Sequence, residues 1–405
     1  MDSRVKPSHH VSALVKAAAF ASLLVLPCRL ASAAEPVFPG KTWSQKTPAE
    51  AGIEKPKLDA LAEYAGGMGC VVRNGCMVYS WGDPSRRQDV ASAAKPFYSH
   101  FLLKAVEDGR IDSLDAKVVK WEPRLADVPD GEQIEWRHMA NQTSCYGLTD
   151  KPGEAYAYND WQMALFFDTL FLKIYGATWE NVDETVFHPM LTDILQCQDD
   201  PTFMAFGTGD RAGRVRISPR DFARFGLLYL HKGNWNGRQL ISRKHAEMAV
   251  TSPLPNSIPR ASGEAAPMIP GQRTIGSQRI PDNQTDHMGS YSWLWWTNGV
   301  DREGKRHWPD VPHDAYGAFG HGGPRAMVVI PSLDLIVSWN DTKIRGREIG
   351  TVWQEPSSVM NPAIKVGSQI AEVIRVHTAA GRADARRKAI ELMDRVQIAD
   401  ARNRY

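Results

Sequence analysis

Strand-patterned segments stand at the two ends of this chain, with a long helix-patterned section between them. Near the N-terminal end, Gly69 to Gly82 reads as a β-hairpin about the turn dipeptide Asn74-Gly75. From Tyr291 onward, Tyr291 to Thr297, Tyr316 to Phe319, Ala326 to Ile330 and Leu333 to Trp339 read as strands, with Pro331-Ser332-Leu333-Asp334 as a hairpin turn. Helical patterning marks Pro56 to Ala65, Ile134 to Ala140, Tyr158 to Tyr175, Pro219 to His231 and about 361 to 376. Two strand regions so far apart in sequence imply one sheet built from both ends. The expected fold class is therefore α/β in the α+β sense: an antiparallel sheet flanked by helices, with an all-helical lobe at about 110–250 inserted between the sheet-forming segments. A groove between sheet and lobe is the expected binding cleft.

The first 33 residues read as an export signal rather than as part of the fold. Arg4, Lys6 and Lys16 precede the apolar stretch Ala17 to Leu26, and Ala31-Ser32-Ala33 has the small-residue pattern of a cleavage site. That stretch is too short to remain as a membrane span, so a periplasmic or secreted protein without stable membrane insertion is expected. Cys28 raises a lipoprotein alternative, but Pro27 before it fits a lipid-attachment site poorly. Removing residues 1–33 takes formal charge from +2 to −1, because Arg4, Lys6, Lys16 and Arg29 leave against Asp2. Nothing in that balance recruits nucleic acid or an anionic membrane. Residues 34–377 are ample for one large core. Residues 378–405, with seven basic and four acidic side chains, read as a solvated terminal helix or tail.

Four cysteines remain after export: Cys70, Cys76, Cys145 and Cys197. In an oxidising compartment they permit two disulfides. Cys70 and Cys76 flank the Asn74-Gly75 turn and would pair with each other, leaving Cys145 with Cys197; four buried thiols are the alternative.

The candidate chemistry begins at Ser92-Ala93-Ala94-Lys95. Residues three apart on a helix share a face, which sets an amine beside a hydroxyl, one known solution to nucleophilic catalysis. The spacing is common, and Ser3 and Lys6 repeat it without meaning. Ser92 differs because a polar approach leads into it, and Phe97, Phe101, Leu102, Ala105 and Val106 continue as a buried helix to Asp108-Gly109. Pro96 suits the first turn of such a helix.

Together with Tyr158-Asn159-Asp160 and Gly320-His321-Gly322-Gly323, this set resembles the serine β-lactamase-like hydrolases, the branch of class C β-lactamases, family VIII esterases and D-aminopeptidases. Glu107-Asp108-Gly109-Arg110-Ile111 to Asp115, Lys151-Pro152-Gly153 before Tyr158, and Ser218-Pro219-Arg220-Asp221-Phe222-Ala223-Arg224-Phe225-Gly226 extend the resemblance from about Pro48 to Thr342. It implies a β-lactamase/transpeptidase-like fold, Ser92 as acyl-accepting nucleophile, Lys95 as its amine and Tyr158 as proton shuttle. A phenol and an ammonium are both poor bases at neutral pH unless coupled, so the proton belongs to the Lys95–Tyr158 pair.

Two departures bear on substrate. The family has Asn at the third place of the tyrosine motif and this chain has Asp160, so either Asn159 substitutes or Asp160 pairs with Lys95. The third motif commonly carries Lys to hold a substrate carboxylate, and here it is His321, a weaker clamp that Arg325 could reinforce. A small ester or amide is therefore the expected substrate. β-Lactam or D-amino-acid peptide hydrolysis, or a non-catalytic binding protein on the same scaffold, are the alternatives. An oxyanion hole needs two backbone N–H donors; Ser92 supplies one, and because Pro324 has none the other falls to Gly322 or Gly323. Among the aromatic residues from Tyr291 on, Tyr316 or Trp308 is expected to wall the acyl pocket. The histidines lack metal-ligand spacing and no phosphate loop or dinucleotide fingerprint occurs, so neither metal nor cofactor is implied. Residues 253–286, rich in Pro, Gly, Ser and Asn and long for a loop, read as either a functional surface excursion or a mobile segment.

Overall fold

The computed structural model describes residues 36–345, except 208 and 262, together with 366–377 and 380–395. The leader-like residues 1–33, Cys28 among them, lie outside these residues, as does the start of the C-terminal helix expected from 361.

The chain opens with helix α1 (Lys55–Ala65) and the hairpin β1 (Met68–Arg73) and β2 (Cys76–Trp81). After the short strand β3 (Gln88–Asp89), residues Ala91–Ala94 form a 3-10 turn that runs into α2 (Lys95–Glu107), with Pro96 in its first turn. The middle section holds α3 (Trp136–Ala140), α4 (Asp160–Phe167), α5 (Pro219–Leu230) and α6 (Arg243–Thr251). This section departs from the all-helical lobe expected at about 110–250: β4 (Thr202–Ala205) and β5 (Ala212–Ile217) join β3 in a three-stranded sheet, and β6 (Asn234–Trp235) pairs with β7 (Arg238–Gln239). Alternating Val215 and Ile217 give β5 its buried face.

The remaining strands are β8 (Tyr291–Ser292), β9 (Trp295–Thr297), β10 (Tyr316–Gly320), β11 (Arg325–Ile330) and β12 (Leu335–Asn340). They form an antiparallel seven-stranded sheet in the order β2-β1-β12-β11-β10-β9-β8, so the two ends of the sequence do meet at the β1–β12 pair. Tyr291 to Thr297 is a tight hairpin rather than one strand, because Trp293 and Leu294 take left-handed φ of 47° and 69°. Side chains alternate across the sheet. Cys70, Val72, Met327, Val329 and Ile336 face the main core with α2 and α5, while Val71, Val328, Ile330 and Trp339 face α1. The stacked rings of Phe97 and Phe225, 4.1 Å apart, join α2 to α5. Each such ring contributes roughly 1.5–3 kcal/mol by burial.

The expected disulfides are absent: all four cysteines are free thiols. The two-residue turn sets Arg73 opposite Cys76 and Cys70 opposite Ser80, so the two sulfurs are out of register. Cys145 belongs to a small cluster with Leu148, Ala155, Ala157 and Ala261, whereas Cys197 packs on the main core. Burial pushes the Cys145 thiol up to about 12 and Cys70 higher still, which keeps both protonated.

Beyond the sheet, α7 (Val366–His377) and α8 (Arg382–Arg395) pack on each other around Ala371, Ala385 and Ala389. The expected basic tail is thus in part the helix α8, whose exposed Arg387 pairs with Asp384 at 2.8 Å.

Candidate active site

Ala91 sits in the left-handed region with φ of 52°, a conformation that costs a side-chain-bearing residue roughly 1 kcal/mol. Three contacts hold it. Its N–H donates to Asp89 Oδ1 at 2.7 Å, Val90 N–H donates to the Val215 carbonyl at 3.0 Å, and Gly320 of β10 presses against the same turn. A Cβ on Gly320 would stand 2.2 Å from the Val90 carbonyl oxygen, so only glycine lets β10 approach so closely. The strained turn presents Ser92, half-buried, at the mouth of a cavity of about 660 Å³.

One 3-10 step later, Lys95 extends beside Ser92 and its Nζ donates to Ser92 Oγ at 3.0 Å. The ammonium is buried, 3.0 Å from Asp160 Oδ1 and 4.4 Å from the centre of the Tyr158 ring. Burial disfavours its charge, but the Asp160 carboxylate and Tyr158 outweigh that and hold the lysine above its ordinary range. Asp160 is the mirror case: desolvation pushes it up, and Lys95, the Ser277 N–H and the Gln284 amide bring it below the usual carboxylate value. Lys95 and Asp160 form a buried ion pair. Of the two roles open to the tyrosine motif, Asp160 takes the lysine. Asn159 does not substitute: its side chain caps α4 by accepting from Gln162 N–H at 3.0 Å and donates to the Tyr146 carbonyl at 2.7 Å.

Residues 274–285 of the long excursion wrap this pair. Ser277 N–H and Gln284 Nε2 each donate to Asp160 Oδ2 at 3.0 Å, and Asp160 N–H donates to Asp282 Oδ2 at 2.5 Å. Burial and the facing Asp160 charge raise Asp282 to about 6. Ile275, Gly276, Ser277, Gln284 and Thr285 line the cavity, so the excursion forms one wall of the site.

The Tyr158 ring, already in contact with Lys95, stacks with Trp296 at 6.3 Å, and Trp296 in turn stacks with His307 at 5.7 Å. Trp308, one of the two aromatic candidates, lines the cavity with them. Tyr316 does not. It packs edge-on against Trp295 and lines a separate cavity with Tyr229 and Val250, because its place on β10 turns its ring to the α5 side of the sheet.

His321 and Gly322 line the cavity at the end of β10. Gly323 N–H is engaged with the Gly320 carbonyl at 3.1 Å, which leaves Gly322 of the two glycines as the candidate second oxyanion donor. Desolvation and the nearby Arg325 and Arg214 hold His321 below its ordinary value, so its imidazole is neutral at pH 7. Arg325 does not reach the cavity; its Nη1 bonds Asp89 Oδ2 at 2.9 Å.

Sequence reading missed Asp89, Arg214, Ser277, Asp282, Gln284 and Trp296. The polar run Asp282-Asn283-Gln284-Thr285-Asp286 inside the excursion was the one visible signal. Arg214 left none, since a charged residue on a short strand ordinarily faces water.

Among known proteins, the sequence matches the Beta-lactamase family over residues 57–339. The fold is shared with a Bacillus anthracis protein described as a 6-aminohexanoate-dimer hydrolase, at 17% identity over 71% of this chain and 76% of that one, with a TM-score of 0.50. A β-lactamase from Mycobacterium bovis aligns at 18% identity over 70% of this chain and 92% of that one, with a TM-score of 0.46. A class C β-lactamase aligns at 13% over 77% and 96%, with a TM-score of 0.49. Similarity of another kind is confined to 62 residues, 15% of this chain. There it is 50% identical to proteins of Brucella abortus and Brucella melitensis described as peptide import ATP-binding proteins, and it spans 18% of their length. A stretch that long fits whole outside the family match only in the residues after 339. The family match covers most of the chain and includes every residue gathered at the cavity, so this chain belongs to the β-lactamase family of serine hydrolases.

Proposed function

We propose that this protein is an exported serine hydrolase that forms an acyl-enzyme at Ser92 and acts on a small ester or amide. The observation that carries the reading is the 3.0 Å hydrogen bond from buried Lys95 to Ser92 Oγ at the mouth of a cavity walled by Tyr158. The leader-like pattern of residues 1–33 supports export.

Asp160 keeps Lys95 cationic, so the lysine serves as a fixed positive charge at the nucleophile rather than as the base. Tyr158 is then the group that takes the Ser92 proton as Oγ bonds the substrate carbonyl carbon, and hands it to the departing alcohol or amine. Tyr158 accepts that proton as the phenolate, whose negative charge the ammonium beside its ring balances. Ser92 and Gly322 N–H groups stabilise the tetrahedral oxyanion. Water attacks the acyl-enzyme by the same route in reverse. Neutral His321 replaces the lysine that would hold a carboxylate in that place, which favours simple esters and amides over β-lactams.

Ser92→Ala is expected to abolish fluorophosphonate labelling and to lower p-nitrophenyl butyrate turnover by roughly 10⁴-fold or more. Labelling of another residue, or unchanged turnover in the variant, would overturn the assignment. Nitrocefin turnover matching that of the ester would move the substrate to the β-lactams.

A further inference from the structure

The acyl-transfer scheme leaves one charged group of the cavity without a task. Arg214 of β5 lines the cavity with Ser92, Lys95 and His321, its side chain 11% exposed and its guanidinium laid over the Phe206 ring at 4.0 Å. Its Nε donates to Asp89 Oδ1 at 3.0 Å and its Nη2 bonds Asp89 Oδ2. The same carboxylate accepts Arg325 Nη1 at 2.9 Å and the Ala91 N–H at 2.7 Å.

Charge at the cavity is therefore unbalanced. Asp160 matches Lys95, whereas Asp89 alone faces both Arg214 and Arg325. Asp282, the next acid, lies at the backbone N–H of Asp160 and does not line the cavity. Neutral His321 adds no charge. Arg325 by itself would neutralise Asp89, so a second guanidinium is not needed to pay for that carboxylate. Asp89 occupies the Nε and Nη2 edge of Arg214, which leaves Nη1 as the donor group for a second anion. A guanidinium held rigid, weakly hydrated and backed by an aromatic ring binds an anion well, because little order is lost and little water must be stripped.

We infer that Arg214 is a recognition site for an acidic group on the substrate, so that the preferred ester or amide carries a carboxylate within reach of Ser92. This deepens the Ser92 reading and rests on it for the catalytic consequence. It also revises the expectation drawn from His321. The carboxylate clamp is supplied from β5, beside the nucleophile's turn, and not from the third motif.

The test compares kcat/KM for p-nitrophenyl butyrate with that for mono-p-nitrophenyl glutarate, acidic on the acyl side, and 4-carboxyphenyl butyrate, acidic on the leaving group. In the wild type at least one acidic ester is expected to exceed the neutral one roughly ten-fold, mainly through KM, and the advantage should shrink with added salt. The ratio of acidic to neutral turnover should collapse in Arg214→Gln and return in part in Arg214→Lys; a ratio is insensitive to the amount of folded variant. Should these variants not fold, inhibition of wild-type butyrate turnover by glutarate but not by glutaramide reads the same site. Preference for the neutral ester over both acids, with no inhibition by glutarate, overturns the inference while leaving Ser92 catalysis intact. If Ser92 turns over none of the three esters, the catalytic reading falls. Thermal stabilisation by glutarate, present in the wild type and lost in Arg214→Gln, then decides the anion site alone.

Discussion

Asp160 shows how one side chain changes what its neighbours do. Asn in its place would keep the shape and remove the charge that holds Lys95 as an ammonium. Breaking a buried pair in this way costs about 3–5 kcal/mol, because the remaining charge is left uncompensated. The sign follows from the direction of each shift. The lowered Asp160 contributes stability above the ordinary carboxylate range and loses it as pH falls through its folded value. The raised Lys95 contributes below the ordinary lysine value and loses it as pH rises past its folded one. Asp160→Asn should therefore lower stability most between about pH 5 and 9, and the gap should close below about pH 4. Chemical denaturation across that range checks it; a gap independent of pH would contradict the ion-pair account. Freed from Asp160, Lys95 should also lose its proton at lower pH, moving the basic limb of the kcat/KM profile downward. Ser92, Lys95, Tyr158, Asp160, His321 and Gly322 were legible as residues because their ordered spacing is local. Arg325 and Tyr316 were misplaced because a strand residue's destination depends on its partner strand, which local spacing does not reveal.

Among the elements, the segment 274–285 departs furthest from its outward character. It belongs to the excursion 253–286, whose Pro, Gly and Ser content marks a loop, yet its hydrogen bonds run to Tyr158, Asp160 and Trp161, which makes it a fixed wall. Its closest approach is at Gly276, where a Cβ would stand 2.2 Å from Asp160 Oδ2. Gly276→Ala should push the wall off Asp160, lower kcat/KM about ten-fold and leave Ser92 labelling in place at a slower rate. Unchanged kinetics would mean that the wall does not position the ion pair. The nucleophile's element is built the same way. Asp89 on β3, Val215 on β5 and Gly320 on β10 converge on the Ala91 turn from three places in the sequence.

For the whole molecule, the β-lactamase family match ends at residue 339, short of helices α7 and α8. Helices α7 and α8 keep a small alanine core of their own around Ala371, Ala385 and Ala389. A specific protease site placed within 346–365 and cut should therefore leave ester turnover within about two-fold and the hydrolase Tm unchanged, as expected of a part with its own core. Loss of turnover on cutting would make the C-terminal helices part of the hydrolase. The sequence by itself determined the sheet built from both ends, the helix behind Ser92, the Ser-Lys-Tyr set and the glycine edge. Each of these depends on periodicity, turn chemistry or short spacing, which are local properties. Only the tertiary structure decided the unpaired thiols, the Asp160–Lys95 pair, the fixed wall from the excursion and the second guanidinium on Asp89. Those depend on strand register and on which distant side chains share one buried volume, where desolvation makes each unmatched charge costly and so dictates its partners.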